Sequence, residues 1–264
     1  MNQAYITNII IDHVRHLKDI EIPLSENRMK HLIITGKNGS GKTSLLDALA
    51  AYLDVITHPA AYRECRKKLE QSKEELQNVI SRENASEELE KIQKRVEDYE
   101  KCYKILMGDL IVEFETPIDD IQDFFPQGKF VTAYYKADRI FKAQMPQHVE
   151  KVALKKDYSI KETPRQDFVK YLLDLKMTQA LAVTGGKKEK ADQIAAWFQN
   201  FDNLLKRIFD DDSVELVFDE ETFQFTIHME GRDPFDFNEL SSGYAAVLDI
   251  VVDLIIRMES QTER

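Results

Sequence analysis

Cysteine is scarce. The 264 residues contain two, Cys65 and Cys102, with no C-x-x-C spacing and no histidine cluster near either. That excludes a disulfide framework or a thiolate zinc site as the basis of the fold. Long apolar runs are missing too: none approaches the roughly 20 residues of a membrane span. The opening Met1-Asn-Gln-Ala-Tyr5 lacks the basic and apolar regions of a secretory signal, so a cytoplasmic location is expected, with no membrane partner. Positive charge is in deficit, 36 Lys and Arg against 47 Asp and Glu, for a net charge of −11. A chain that coats nucleic acid with its whole surface is excluded, while a local basic face is not. What remains is a globular composition, 43% apolar and 31% charged, long enough to bury one large core or two small ones.

One stretch points to chemistry. Thr35-Gly-Lys-Asn-Gly-Ser-Gly-Lys-Thr-Ser44 fits G-x-x-x-x-G-K-[ST], and its context is the one that pattern needs. Residues 31–34 (His-Leu-Ile-Ile) read as a short buried strand, and residues 42–54 carry helical leucine and alanine spacing. Gly36, Gly39 and Gly41 permit backbone angles that turn successive N–H groups toward one anion, and the helix N-terminus adds its positive dipole end. In this pattern Lys42 reaches the β- and γ-phosphates and Thr43 places its hydroxyl on Mg²⁺.

Around this loop the elements follow from periodicity. Residues 4–12 and 17–24 read as two strands, an antiparallel start. Between residues 60 and 106 apolar or small residues recur at heptad spacing twice, from Tyr62 to Val79 and from Leu89 to Leu106. Arg82–Ser86 breaks the pattern, and Asn84 with Glu87 forms a capping signal. An antiparallel helical hairpin, a short coiled coil with arms of roughly 33 Å, is the simplest solution. Paired positions then sum to about 168, which brings Cys65 near Cys102 and Tyr103. Packed, reduced thiols are the expected state, with a disulfide or redox switch as the alternative. The hairpin itself is either a solvated ornament or a partner-binding arm.

Residues 110–115 and 129–135 read as strands, residues 138–165 as a modestly basic loop, and 166–182 and 188–209 as amphipathic helices joined by a mobile connector, 185–190. The stripe Ile194, Trp197, Phe198, Phe201, Leu205 and Ile208 reads as core. A β-hairpin over 213–230 turns at Asp219–Glu221. Leu240-Ser-Ser-Gly243 then opens a helix running to Met258, where two hydroxyls and a glycine form a second anion-compatible mouth.

Taken together, "GKNGSGKTSLLDAL", the hairpin inserted after it and "FNELSSGYAAVL" resemble the ATP-binding-cassette head of the SMC, RecF and RecN group, particularly bacterial AAA-family ATPases of the phage-defence, overcoming-lysogenization-defect type. The resemblance implies an α/β P-loop NTPase fold with a mixed β-sheet, in three parts: 1–58 with strands, Walker A loop and first helix, 59–107 the hairpin, and 108–264 the remaining strands and a helical lobe. It implies ATP and Mg²⁺ as cofactors. Gly36, Lys37, Asn38, Gly39, Ser40, Gly41, Lys42, Thr43 and Ser44 would hold the nucleotide, with Thr43 at the metal. Leu240, Ser241, Ser242 and Gly243 would cover ATP bound to a neighbouring copy, making a homodimer or higher oligomer through an ATP sandwich. Arg15 matches an arginine that approaches the phosphates, and Arg139 one of unknown role. The metal-sensing glutamine is open among Gln122, Gln127, Gln144 and Gln147.

The departure is at the end. Family heads continue into an apolar strand ending in Asp-Glu, the metal and water-activating pair, and the chain reaches Arg264 without one, so the catalytic residues are unknown. Val247–Asp253 is not that strand, because Leu248, Val251, Val252 and Ile255 continue a helix. The expected function is an ATP-dependent dimerising head in DNA repair or antiphage defence that controls a nuclease, an effector or DNA. The alternatives are a non-hydrolysing nucleotide-sensing scaffold and a small P-loop kinase or GTPase.

Overall fold

A computed structural model describes residues 4–80, 86–136, 142–146 and 148–260. Arg139, Gln147 and the Asn84–Glu87 cap lie outside the described residues and side chains. The chain forms two compact units, one of residues up to Tyr134 with Ser159–Lys161, the other of Tyr135–Tyr158 and Glu162 onward.

In the first unit β1 (Ile6–Val14) and β2 (Leu17–Pro23) pair antiparallel across the two-residue turn Arg15-His16. β3 (Leu110–Phe114) pairs antiparallel on the other side of β1. The alternation of β1 sends Ile9 and Ile11 inward opposite Val112 and Leu110, and all four are almost fully buried. Against that face packs α1 (Lys42–Thr57) through Leu45, Tyr52 and Ile56. α2 (Ala60–Ile80) and α3 (Ser86–Met107) are the expected hairpin, with Val79, Ile92 and Val96 buried in its seam beside Leu69, Leu76 and Leu89. α4 (Ile118–Phe124) closes this unit.

The second unit holds α5 (Phe168–Thr184), α6 (Lys188–Phe209), the hairpin β4 (Glu215–Asp219) and β5 (Gln224–His228), and α7 (Ser242–Glu259). The expected stripe of α6 is its inner face: Ile194, Phe198, Phe201 and Leu205 are buried against Phe168, Phe225, Phe237, Leu248 and Val252. The turn between β4 and β5 is built by Asp219, whose Oδ1 accepts from the N–H groups of Glu221 and Thr222. α7 runs through Val247–Asp253, as its periodicity requires.

Four expectations are corrected. Residues 31–34 are not a strand: Leu32 is 38% and Ile33 83% exposed. Residues 129–135 form no strand either. The reason is pairing. Among the described residues, 31–35 and 131–133 have no backbone hydrogen-bond partner, and β propensity without a ladder does not make a strand. Correspondingly, every strand pairing among the described residues is antiparallel, so the structure is mixed α/β with small antiparallel sheets rather than one mixed sheet. The connector is also shorter than read, because α6 begins at Lys188 and leaves Gly185-Gly-Lys187.

Candidate functional site

The loop 36–41 leads into an open helix end. Gly41 caps α1 in the left-handed region, φ 92°, and no side chain caps the helix. The first turn therefore presents N–H groups without intrahelical partners, with no acidic side chain among them. Glycine is required here for a second reason: a Cβ on Gly41 would meet Leu17 Cδ2 at 2.9 Å and His16 Nε2 at 3.0 Å. The β1–β2 turn thus lies directly over the start of α1. A Cβ on Gly36 would strike Ser40 Oγ at 2.7 Å.

Around this helix end is an open cavity of about 410 Å³, lined by Arg15, His16 and the continuous run Asn38–Ser44. Lys42 lies across the loop. Its Nζ donates to the carbonyls of Gly36 and Lys37, both at 2.8 Å, and to Ser40 Oγ at 3.4 Å. An ammonium already curled into the loop is positioned to exchange carbonyl oxygens for phosphate oxygens without leaving it. Thr43 is exposed beside it and Ser44 is buried. Arg15 sits at φ 56°, a conformation that costs an ordinary side chain of order 1 kcal/mol or more and is often retained where it aims a group. The lining contains no carboxylate.

The cavity lining groups Arg15 and His16 with Asn38–Ser44, while Gly36 and Lys37 are outside it and meet Lys42 through their carbonyls. The signal for His16 was available in the sequence: a two-residue turn between paired strands places both of its residues at one end of the sheet.

The second candidate site is in the other unit. Ser241 is the residue preceding α7, at φ −58° and ψ 151°, and no side chain caps the helix. Ser241, Ser242 and Gly243 are exposed, Leu240 is half-buried on the core, and no atom approaches the position of a Cβ on Gly243. The approach to this mouth is held by Asn238, whose side chain accepts from Ala143 N at 2.9 Å and donates to Ala143 O at 3.3 Å. Tyr244 anchors the first turn on Phe209, ring centroids 4.5 Å apart.

Two turns into α7 lies a network that periodicity did not disclose. Asp249 and Asp253 are fully buried. Arg165 pairs with Asp249 and lies 3.6 Å from Asp253. Arg257 donates to Asp253 at 2.7 Å and to the carbonyls of Tyr158 and Glu162. The Tyr135 hydroxyl also donates to Asp253, at 2.8 Å, and burial followed by that carboxylate raises its pKa. Two carboxylates matched by two guanidiniums make a charge-balanced unit, in which Asp253 Oδ2 accepts from both Arg257 and Tyr135, and pairing of this kind is how buried charge is tolerated. These aspartates tie α7 to the preceding loop. Among the described residues no group of three His, Cys, Asp or Glu is placed to hold a metal ion.

The glutamines separate clearly. Gln122 is buried and accepts from Arg63 Nε at 2.7 Å. Gln127 is occupied by Asp123 O and Lys129. Gln144 is placed by a backbone bond from its own N–H to Gln166 O. None of the three lines the loop cavity.

Comparisons of the chain with models of known families, with curated proteins and with solved structures find no match. No helix among the described residues is long and apolar enough to cross a membrane.

Proposed function

We propose that the chain is an ATP-binding head that pairs with a second copy when nucleotide is bound, and that it serves as an ATPase in DNA repair or antiphage defence by controlling a nuclease, an effector or DNA. The observation that carries the reading is the loop: a curled Lys42, an uncapped α1 N-terminus and a basic turn around one open cavity. Such a constellation favours a polyphosphate over a neutral ligand, because N–H dipoles, helix dipole and cations all act with the same sign. The residues fit the cofactor: Thr43 would hold Mg²⁺ with the β- and γ-phosphates, and the metal would supply charge neutralisation there. The exposed, uncapped mouth of α7 would cover the γ-phosphate of the neighbour's nucleotide.

Because the cavity has no carboxylate, these residues bind and orient. Turnover requires an acid from outside the lining, and binding without hydrolysis by this chain is the second reading. The test is a titration with a fluorescent ATP analogue and Mg²⁺, followed by phosphate release. Saturable binding that Lys42→Ala removes supports the proposal, and equal binding by Lys42→Ala defeats it. Phosphate release by the chain alone would remove the second reading.

A further inference from the structure

The only two cysteines of the chain meet at the base of the α2–α3 hairpin. Cys65 occupies a buried seam position on α2, and its Sγ–H donates to the carbonyl of Tyr99 on α3 at 3.7 Å. Cys102 lies three residues, close to one helical turn, beyond Tyr99 on the same helix, and it is exposed. Both are free thiols. The Lys68 ammonium, drawn to Glu64 at 2.6 Å, belongs to the turn of α2 that follows Cys65. The surroundings are rigid. Tyr62 and Tyr103 pack at 5.8 Å, and Arg63 and Arg66 bind Gln122 and Asp119 on α4. One accessible thiol and one sheltered thiol on facing helices, with a cation on the same helix as the sheltered one, are the parts that an attacking and resolving pair needs.

We propose that Cys65 and Cys102 are an oxidation site for hydroperoxides, at which an intramolecular disulfide staples the two arms of the hairpin. The Cys102 thiolate attacks a peroxide oxygen. The O–O bond breaks, an S–O bond forms, the sulfur is oxidised to sulfenic acid and the peroxide is reduced to its alcohol or to water. The Cys65 sulfur then attacks the sulfenyl sulfur, the S–S bond forms, and hydroxide leaves with the Cys65 proton as water. A dithiol reductant reverses the bond by exchange. Burial pushes the Cys65 thiol up to about 11, with the neighbouring Cys102 adding to it, so Cys65 stays protonated until the sulfenyl group forms beside it. That separates the roles: Cys102 meets the oxidant and Cys65 resolves.

The experiment uses the full chain with hydrogen peroxide, quenched by catalase, with thiol counting and intact mass after alkylation. Expected are loss of both titratable thiols, loss of two hydrogens by mass, no covalent dimer, and full recovery with dithiothreitol. Cys65→Ala is expected to retain a sulfenic acid on Cys102 that dimedone labels, and Cys102→Ser to leave Cys65 unmodified at the same dose. Cys102 is exposed, so the second variant keeps the packing intact. Two free thiols after peroxide, a Cys102-linked dimer as the main product, or oxidation of Cys65 in Cys102→Ser would each overturn the proposal. None of these readouts depends on nucleotide.

Discussion

Lys42 and Gly41 make opposite kinds of contribution, and their substitutions separate binding from folding. Lys42 touches loop carbonyls on an exposed surface, so Lys42→Ala should leave the melting temperature nearly unchanged. In the proposed complex its charged hydrogen bonds to phosphate would be worth about 1.5–3 kcal/mol, hence an expected loss of roughly ten- to hundredfold in ATP affinity. Gly41→Ala should do both, because the new Cβ meets Leu17 and His16 and the residue must hold φ 92°. A destabilisation of about 1–3 kcal/mol in urea unfolding is expected, together with weakened ATP binding. A Gly41→Ala chain as stable as the parent would contradict the packing of the turn over the loop. Cys65 has its own pH signature. Its folded pKa is raised from 9.0 to about 11, so the stability linked to the neutral thiol is full below pH 9 and is lost as pH rises through 11. Native-state alkylation should accordingly label Cys102 first near neutral pH, with Cys65 following only in strongly alkaline buffer.

At the scale of elements, the long helices and the paired strands were readable, α4 was not, and two segments read as strands form none. The seams of α2 and α3 and the stripe of α6 repeat within one segment, so their buried faces are written locally. A strand is completed by a partner elsewhere. Ile33 belongs to a β-branched run beside the phosphate loop, yet it is 83% exposed and its backbone is unpaired. Ile33→Ser should therefore change unfolding free energy by less than about 0.5 kcal/mol, whereas the buried strand expected from the sequence would lose several times that. The α7 network was hidden for a similar reason. Asp249 and Asp253, four apart on a helix, read as a charged face until Arg165 and Tyr135 arrive from distant positions. Asp253→Asn leaves the buried Arg257 guanidinium without its counter-charge, while Arg165 keeps Asp249, and a loss of about 3–5 kcal/mol in urea unfolding is expected. A near-neutral result would mean that the network does not hold α7.

For the whole molecule, the phosphate-binding candidate and the α7 mouth belong to different compact units, and the loop cavity was legible because one continuous run of residues and one turn build it. The use proposed for the α7 mouth comes only from resemblance, since an exposed helix N-terminus carries no instruction about its partner. The central claim is that a triphosphate gripped by Lys42's loop in one copy is closed over by Ser242 and Gly243 of another. Light-scattering mass with Mg²⁺ and a non-hydrolysable ATP analogue tests it most directly, on the parent chain, Lys42→Ala and Ser242→Arg in parallel. The account predicts a nucleotide-dependent doubling of mass for the parent alone, with Ser242→Arg still binding the analogue as a monomer. A parent chain that binds nucleotide and stays monomeric, or a Ser242→Arg chain that doubles like the parent, would contradict it.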